Sequence, residues 1–90
     1  MSIKIHIHVT HRRHTDGRKM VEAEGDTVGK ALNNFVAQYP GMKKELFDKN
    51  GKLLHYIEIY LNKASAYPGE LEKALKDGDE IQIITFLAGG

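Results

Sequence analysis

The sequence predicts an α+β fold in which one main helix packs on one face of a mixed β-sheet. Three segments alternate apolar and polar residues, as strands with one buried face do, and one longer segment repeats its apolar residues at helical spacing. The remaining segments are short, so no second long helix is expected. A chain of 90 residues is expected to form a single domain spanning 1–90.

The first two strands are predicted at the N-terminus. Apolar residues alternate with polar ones from Ile3 to Thr10, which is the period-two pattern of a half-buried strand. The polar stretch HRRHTDGRK follows and contains the turn signal Asp16-Gly17. Residues 20–23 can then pair back as the second strand.

The main helix is predicted to start after Gly25-Asp26-Thr27. Asp26 is the expected N-cap, because its carboxylate can accept a free backbone N–H. The apolar residues that follow form one helical stripe, which consists of Val28, Leu32, Phe35, Val36 and Tyr39. Pro40-Gly41 is expected to end the helix, because the residue before a proline disfavours helical geometry.

The second half of the chain contains shorter elements. Residues 43–47 allow one further helical turn, and 56–61 form a well-patterned strand. The segment ELEKAL, at 70–75, allows only a turn or two of helix. The turn at 76–79, where Gly78 supplies a positive φ angle, leads into the last strand at 80–87. A ferredoxin-like arrangement would need a second helix comparable to the first, so the order favours a ubiquitin-like roll.

Composition excludes several classes of protein. Thirteen Lys and Arg residues against twelve Asp and Glu leave a net charge of +1, which argues against a dedicated nucleic-acid binder. The absence of cysteine excludes disulfides, thiolate metal sites and a cysteine nucleophile. No apolar run approaches the roughly 20 residues of a membrane span, and no signal-peptide core is visible, so the expected compartment is the cytoplasm. Without a glycine-rich phosphate loop or a convincing triad, the chain is not expected to be an enzyme itself.

The histidines suggest a metal site that their spacing does not support. His6 and His8 are two apart on the predicted first strand, and His11 and His14 follow in the loop. A catalytic zinc site usually takes three protein ligands, and nothing in this spacing brings the four side chains into one geometry. No metal is therefore expected.

The loop HRRH, with Arg18 and Lys19, is the one local basic cluster of the sequence. Readers of single-stranded RNA usually add stacking aromatics, and the predicted sheet offers only Tyr60 and Phe86 for that role. Two other interpretations of this cluster stay open. It docks on an acidic surface of a partner, or it is the solvated tip of a hairpin.

The chain ends in FLAGG, and a terminal Gly-Gly has a chance probability of roughly 0.5% at average glycine usage. A frayed end is one explanation. The other is that the carboxylate of Gly90 is a working group that must enter narrow active sites. Gly89 and Gly90 have no Cβ and Ala88 is nearly as slim, so 88–90 would form a flexible tail. Leu87 would mark the boundary between fold and tail.

A partner-binding patch is expected beside this tail. If Ile81 and Ile83 face the helix, Ile84 and Phe86 point to the opposite face. Tyr60 points outward from its own strand by the same alternation. Exposed apolar side chains grouped on one sheet face are typical of interaction surfaces.

Three segments resemble the MoaD/ThiS family of ubiquitin-like sulfur carriers: GDTVGKAL at the helix start, IYLN ending at Asn62, and LKDGDEIQIITFLAGG at the C-terminus. The resemblance covers nearly the whole chain, and RRHTDGRK is most similar to the branch that supplies sulfur to a PLP-dependent cysteine synthase. It implies a β-grasp fold with the first and last strands side by side.

The resemblance also implies a cycle performed by partners. An E1-like enzyme uses Mg-ATP to adenylate the carboxylate of Gly90, a sulfur donor displaces AMP to leave a thiocarboxylate, and a PLP-dependent sulfhydrylase or other enzyme accepts the sulfur. The carrier itself would bind no cofactor. Two alternatives remain open: the small subunit of molybdopterin synthase, and a ubiquitin-like protein modifier.

Overall fold

The computed structural model describes residues 1–86, which form a five-stranded sheet with strand order β2-β1-β5-β3-β4. The strands are β1 (Ser2–His6), β2 (Met20–Glu24), β3 (Ile57–Leu61), β4 (Ala64–Ser65) and β5 (Glu80–Thr85). The α-helices are α1 (Val28–Gln38) and α2 (Lys43–Leu46), and 3₁₀-helices span Val9–His14, Pro40–Met42 and Glu70–Glu72. Within residues 1–86, no helix is both long and apolar enough to cross a membrane.

Strands β1 and β5 run parallel, and the other three pairs of neighbouring strands are antiparallel. β1 and β5 lie side by side with Ile5 opposite Ile81, as expected. β5 is bonded on its other edge to β3 over five residue pairs, from Leu61 opposite Ile81 to Ile57 opposite Thr85. The mixed sheet with one main helix is therefore confirmed, and β5 lies at its centre.

The core fills the space between α1 and one face of the sheet. Phe35 of α1 is fully buried, as are Ile5 of β1 and Ile81 of β5. The helical stripe is confirmed, with Val36 and Tyr39 packing at the edge of the core as partly buried residues. The rings of Phe35 and Tyr39 are tilted by 54°, with their centroids 5.8 Å apart.

The first strand is shorter than its alternation predicts. It ends at His6, and Val9 is 63% exposed instead of lying on the buried face. His8 caps the 3₁₀-helix Val9–His14, accepting the N–H of Thr10 on Nδ1 at 3.2 Å. This local bond accompanies the turn of the backbone away from the sheet after Ile7, so the prediction that places His8 on the first strand with His6 is wrong. The turn at Asp16-Gly17 is confirmed, with φ angles of 55° and 79°.

The N-cap of α1 is Thr27, and the prediction of Asp26 is wrong. The Thr27 hydroxyl accepts the backbone N–H of Lys30 at 3.2 Å. The Asp26 carboxylate instead pairs with the Lys30 ammonium at 3.2 Å, while the Asp26 carbonyl accepts the N–H of Leu75. Because tertiary contact holds Asp26 one residue before the cap, the next hydroxyl takes that role.

The structure differs from the sequence prediction by one additional strand and by the end of the last strand. The two-residue strand β4 was not predicted; it pairs with β3 through a tight turn at Asn62 and Lys63, with φ angles of 50° and 73°. Such turns usually carry Gly at the second position, so Asn-Lys is a weak signal. The last strand ends at Thr85. Leu87, its predicted end, lies outside the described residues.

The start of β5 is fixed by a polar link between two turns. Asn62 accepts the N–H of Glu80 on Oδ1 at 3.0 Å and donates from Nδ2 to Asp79 Oδ1 at 3.1 Å. The other Asp79 oxygen accepts the N–H of Lys76 at 2.8 Å. These bonds, led by that of Lys76, lower the pKa of Asp79 below its ordinary value. Gly78 in the same turn has the expected positive φ, 87°.

Replacing Asn62 with Ala is expected to destabilise the fold by about 2–4 kcal/mol, because two hydrogen bonds are lost and a Cβ residue other than Asn must adopt a positive φ angle. Asn62→Gly loses the same hydrogen bonds, but glycine adopts a positive φ angle without steric strain. Its loss of stability should therefore be smaller by about 1 kcal/mol. Urea unfolding of both variants measures the difference. Equal losses would show that backbone strain contributes nothing.

Candidate functional site

The candidate site is the end of β5 together with Phe86, the last described residue. The N–H of Phe86 donates to the carbonyl of Tyr56 at 2.7 Å, so the backbone stays tied to the β3 side of the sheet after β5 ends. The predicted tail residues Leu87, Ala88, Gly89 and Gly90 lie outside the described residues. The structure therefore fixes the position of Phe86, the residue to which the predicted tail is attached.

The residues of the predicted partner patch lie close to this point. Ile81 and Ile83 face the core as expected, and Ile84 lies on the opposite face, partly buried. Ile84 is opposite Glu58 and Tyr60 is opposite Gln82, so Ile84 and Tyr60 are diagonal neighbours on the outward face. Phe86 is 53% exposed. The role of these three residues in partner binding stays a prediction.

Phe86 also borders a groove that sequence analysis missed. The groove has a volume of about 580 Å³, and five apolar residues of its wall define what we call the tail-root groove: Leu53, Leu54, Tyr67, Leu71 and Phe86. They come from three separate stretches of the chain. The sequence carries no signal for this groove, because the contacts that assemble it are long-range.

Three histidines of the N-terminal region contact two different carboxylates. His6 Nε2 is 2.7 Å from Glu80 Oε1, and this hydrogen bond is the main reason that the pKa of Glu80 is lowered. His11 and His14 both turn Nε2 toward the carboxylate of Glu45, at 3.5 Å and 4.0 Å. Among residues 1–86, no group of three or more His, Cys, Asp or Glu residues is arranged to hold a metal ion.

The basic cluster is only partly free for partner contact. Arg12 donates from Nε to the carbonyl of Ile7 at 3.2 Å and so helps to close the 3₁₀-helix onto β1. Arg13, Arg18 and Lys19 are exposed. The proposed docking of this cluster on an acidic partner stays a prediction.

Stability is expected to fall as the pH drops below 6.5, because of His11. Burial lowers the pKa of His11 below its ordinary value of 6.5, against the opposing effect of Glu45, while His8, His14 and Arg13 lower it further. The unfolded chain therefore binds a proton more readily than the folded one. The contribution of His11 is complete above 6.5 and is lost as the pH falls through 6.5 toward the lower pKa of the folded state.

Urea unfolding over a pH series measures this effect. His11→Gln should flatten the dependence below pH 6.5, whereas the matched variant His55→Gln, at an exposed histidine, should leave it unchanged. An unaltered slope in His11→Gln would mean that other groups cause the acid destabilisation.

These observations define a class of protein: a small ubiquitin-like β-grasp domain whose sequence continues from its central strand to Gly89-Gly90. Comparison with known proteins makes the assignment specific. The chain belongs to the ThiS family, whose model matches residues 9–90. The family assigned from the sequence is therefore confirmed.

Individual relatives agree with this assignment. The chain is 37% identical, over the full length of both proteins, to the sulfur carrier protein CysO of Mycobacterium tuberculosis. Among solved structures, it matches a chain of the Amycolatopsis orientalis BexX/CysO complex with a TM-score of 0.87 and 35% identity, covering 98% of this chain and 99% of that one. It also matches the small archaeal modifier protein SAMP1 of Methanosarcina acetivorans, with a TM-score of 0.87, 27% identity and coverage of 99% and 96%.

Proposed function

We propose that this protein carries sulfur as a thiocarboxylate on Gly90 and donates it to an enzyme that makes cysteine or a related sulfur amino acid. The observation that carries the proposal is the 37% identity with a sulfur carrier protein over the whole of both chains. The family match, which extends to residue 90 and so includes the Gly-Gly, supports the same conclusion.

The chemistry begins with activation of a poor electrophile. An E1-like enzyme transfers AMP from Mg-ATP to the Gly90 carboxylate, releasing pyrophosphate and forming an acyl adenylate. A sulfur donor then attacks the carbonyl carbon and displaces AMP, which leaves the thiocarboxylate. Two easier steps replace one difficult displacement, as in other covalent mechanisms.

The fold positions the reacting carboxylate for this chemistry and supplies neither a catalytic acid nor a catalytic base. β5 is held between β1 and β3, and the backbone bond of Phe86 extends this support to the end of the described chain. Docking of the rigid body raises the local concentration of the tail at the active site of the partner. Gly89 and Gly90 would allow the chain to enter a narrow channel.

Contacts with the partners are proposed for the outward face of the sheet. Phe86 is exposed beside the tail, and Ile84 and Tyr60 lie on the same outward side of neighbouring strands. Leu87 and Ala88 would connect this surface to the reactive end. The Amycolatopsis structure contains CysO in a complex with BexX, which supports the idea that a carrier of this type docks on a second protein.

We propose a PLP-dependent sulfhydrylase as the sulfur acceptor, as the resemblance of RRHTDGRK to the cysteine-synthase branch of the family implies. The match to the sulfur carrier protein CysO, at 37% identity over the full length of both chains, supports this branch. The cofactor belongs to that enzyme and not to the carrier. We place the transfer in the cytoplasm, where reducing conditions protect a thiocarboxylate from oxidation.

Intact-mass analysis tests the proposal directly. Incubation with the activating enzyme, Mg-ATP and sulfide should shift the mass of the protein by the replacement of one oxygen with sulfur, and omission of ATP should abolish the shift. Enzymes that co-purify from the native cells identify the acceptor, and a PLP enzyme is expected. An unchanged mass under all conditions would refute the sulfur-carrier function.

The second candidate is a ubiquitin-like protein modifier, which the resemblance to SAMP1 favours. Attachment to lysine uses the same adenylate and the same glycines, so the fold does not distinguish the two. Lysine conjugates in the native cells would support this candidate. Co-purification with a pterin synthase would point instead to the molybdopterin alternative.

A further inference from the structure

The tail-root groove combines exposure, shape and position in a way that indicates binding. Tyr67 is 73% exposed and Phe86 is 53% exposed, which places them among the most exposed large apolar residues of the described chain. Both line the same groove of about 580 Å³. Binding pockets typically have volumes of about 300–1,000 Å³ and mostly apolar walls. Single exposed apolar residues are common on protein surfaces and indicate no binding, but two that line one groove do.

The walls of the groove are held in place by backbone contacts. The N–H of Leu54 donates to the carbonyl of Leu46 at 2.8 Å, and the N–H of Ala66 donates to that of Ile59 at 2.9 Å. Leu71 packs against the core, and its carbonyl lies so close to α1 that a Cβ at Gly29 would be only 2.9 Å from it. The groove is therefore part of the folded body, and binding there costs little ordering.

The position of the groove limits what can cover it. Four residues separate Phe86 from the end of Gly90, and at 3.3–3.6 Å per residue they reach about 14 Å at most. If Gly90 reacts inside another protein, the surface of that protein must approach Phe86 within this distance. Phe86 is one of the residues that line the groove, so an enzyme that receives the tail comes within this distance of the groove wall.

We propose that the tail-root groove is the docking site for an apolar segment of the enzyme that adenylates Gly90. This inference rests on the proposed function. Of the enzymes that receive the tail, the adenylating enzyme acts first, and it must bind the chain before any sulfur is attached. The lining also includes charged residues of both signs, Lys52, Glu58 and Glu70, so the recognised chemistry is apolar with mixed polar contacts.

The test uses the full chain, the purified adenylating enzyme of the same organism, ATP and labelled pyrophosphate. Tyr67→Ser should raise the KM for the carrier in ATP–pyrophosphate exchange by about 10-fold or more, as truncation of an anchoring aromatic does. The kcat should be unchanged, because the reacting carboxylate is intact. Tyr67→Phe keeps the apolar area and should stay within about 2-fold of the wild type.

Val9→Ser is the matched control, since Val9 is 63% exposed and lies outside the groove lining. Equal KM values for Tyr67→Ser, Val9→Ser and the wild type would overturn the groove proposal while leaving the sulfur-carrier function intact. A defect confined to the sulfur-accepting step, or a change in oligomeric state, would also overturn it, since either assigns the groove to another occupant. Failure of the wild type to support any exchange would instead contradict the proposed function.

Discussion

Deleting Gly90, or adding one residue after it, is expected to reduce ATP-dependent activation by at least about 100-fold, because a displacement of the reacting atom by 1 Å already costs that much in oriented reactions. One residue moves the carboxylate by about 3.5 Å. The fold should be unaffected, because the described core ends before residue 87.

Pyrophosphate exchange and intact mass measure the activation, and urea unfolding checks the fold. The extended protein offers its own control: removal of the added residue by a carboxypeptidase should restore activation. Normal sulfur loading of the extended form, with no protease present, would contradict the assignment of Gly90 as the reacting residue.

Phe35→Ala is expected to destabilise the domain by about 3–5 kcal/mol, the usual cost of truncating a fully buried aromatic residue. Phe35 is 0% exposed and is among the largest fully buried side chains of the described core. A domain of this size has a free energy of unfolding of about 5–13 kcal/mol, so the loss is a large share of the total.

Urea unfolding followed by circular dichroism measures this loss. Asn33→Ala, at an exposed position of the same helix, is the matched control and should change stability by less than about 0.5 kcal/mol. A loss below about 1 kcal/mol for Phe35→Ala would mean that the core adjusts around the cavity, or that α1 packs less tightly than the structure shows.

Local patterns predicted the main elements because burial on one face imposes a period on the sequence. The alternation around Ile57 and Ile81 identified β3 and β5, and the helical repeat around Phe35 identified α1. The pattern failed at Val9, where the period continues but the backbone turns into a 3₁₀-helix. It failed there because His8 bonds locally to Thr10, and such a bond competes with the sheet without changing the apolar spacing.

The cap of α1 and the strand β4 were missed for a related reason. Asp26 and Thr27 are both good caps, and backbone contacts of this segment with residues 73–75, among them the bond from Leu75 N–H to the Asp26 carbonyl, favour Thr27. β4 has two residues, too few to show a period, and it exists because Asn62 and Lys63 adopt positive φ angles that return the chain to β3.

The sequence by itself determined the fold class, the family and the terminal glycines on which the proposed chemistry depends, because periodicity and contiguous motifs are local properties of the chain. Tertiary structure alone decided that Tyr67, Leu54 and Phe86 line one groove at the base of the tail. Those residues are far apart in sequence, and the hydrogen bonds that bring their segments together leave no regular spacing to read.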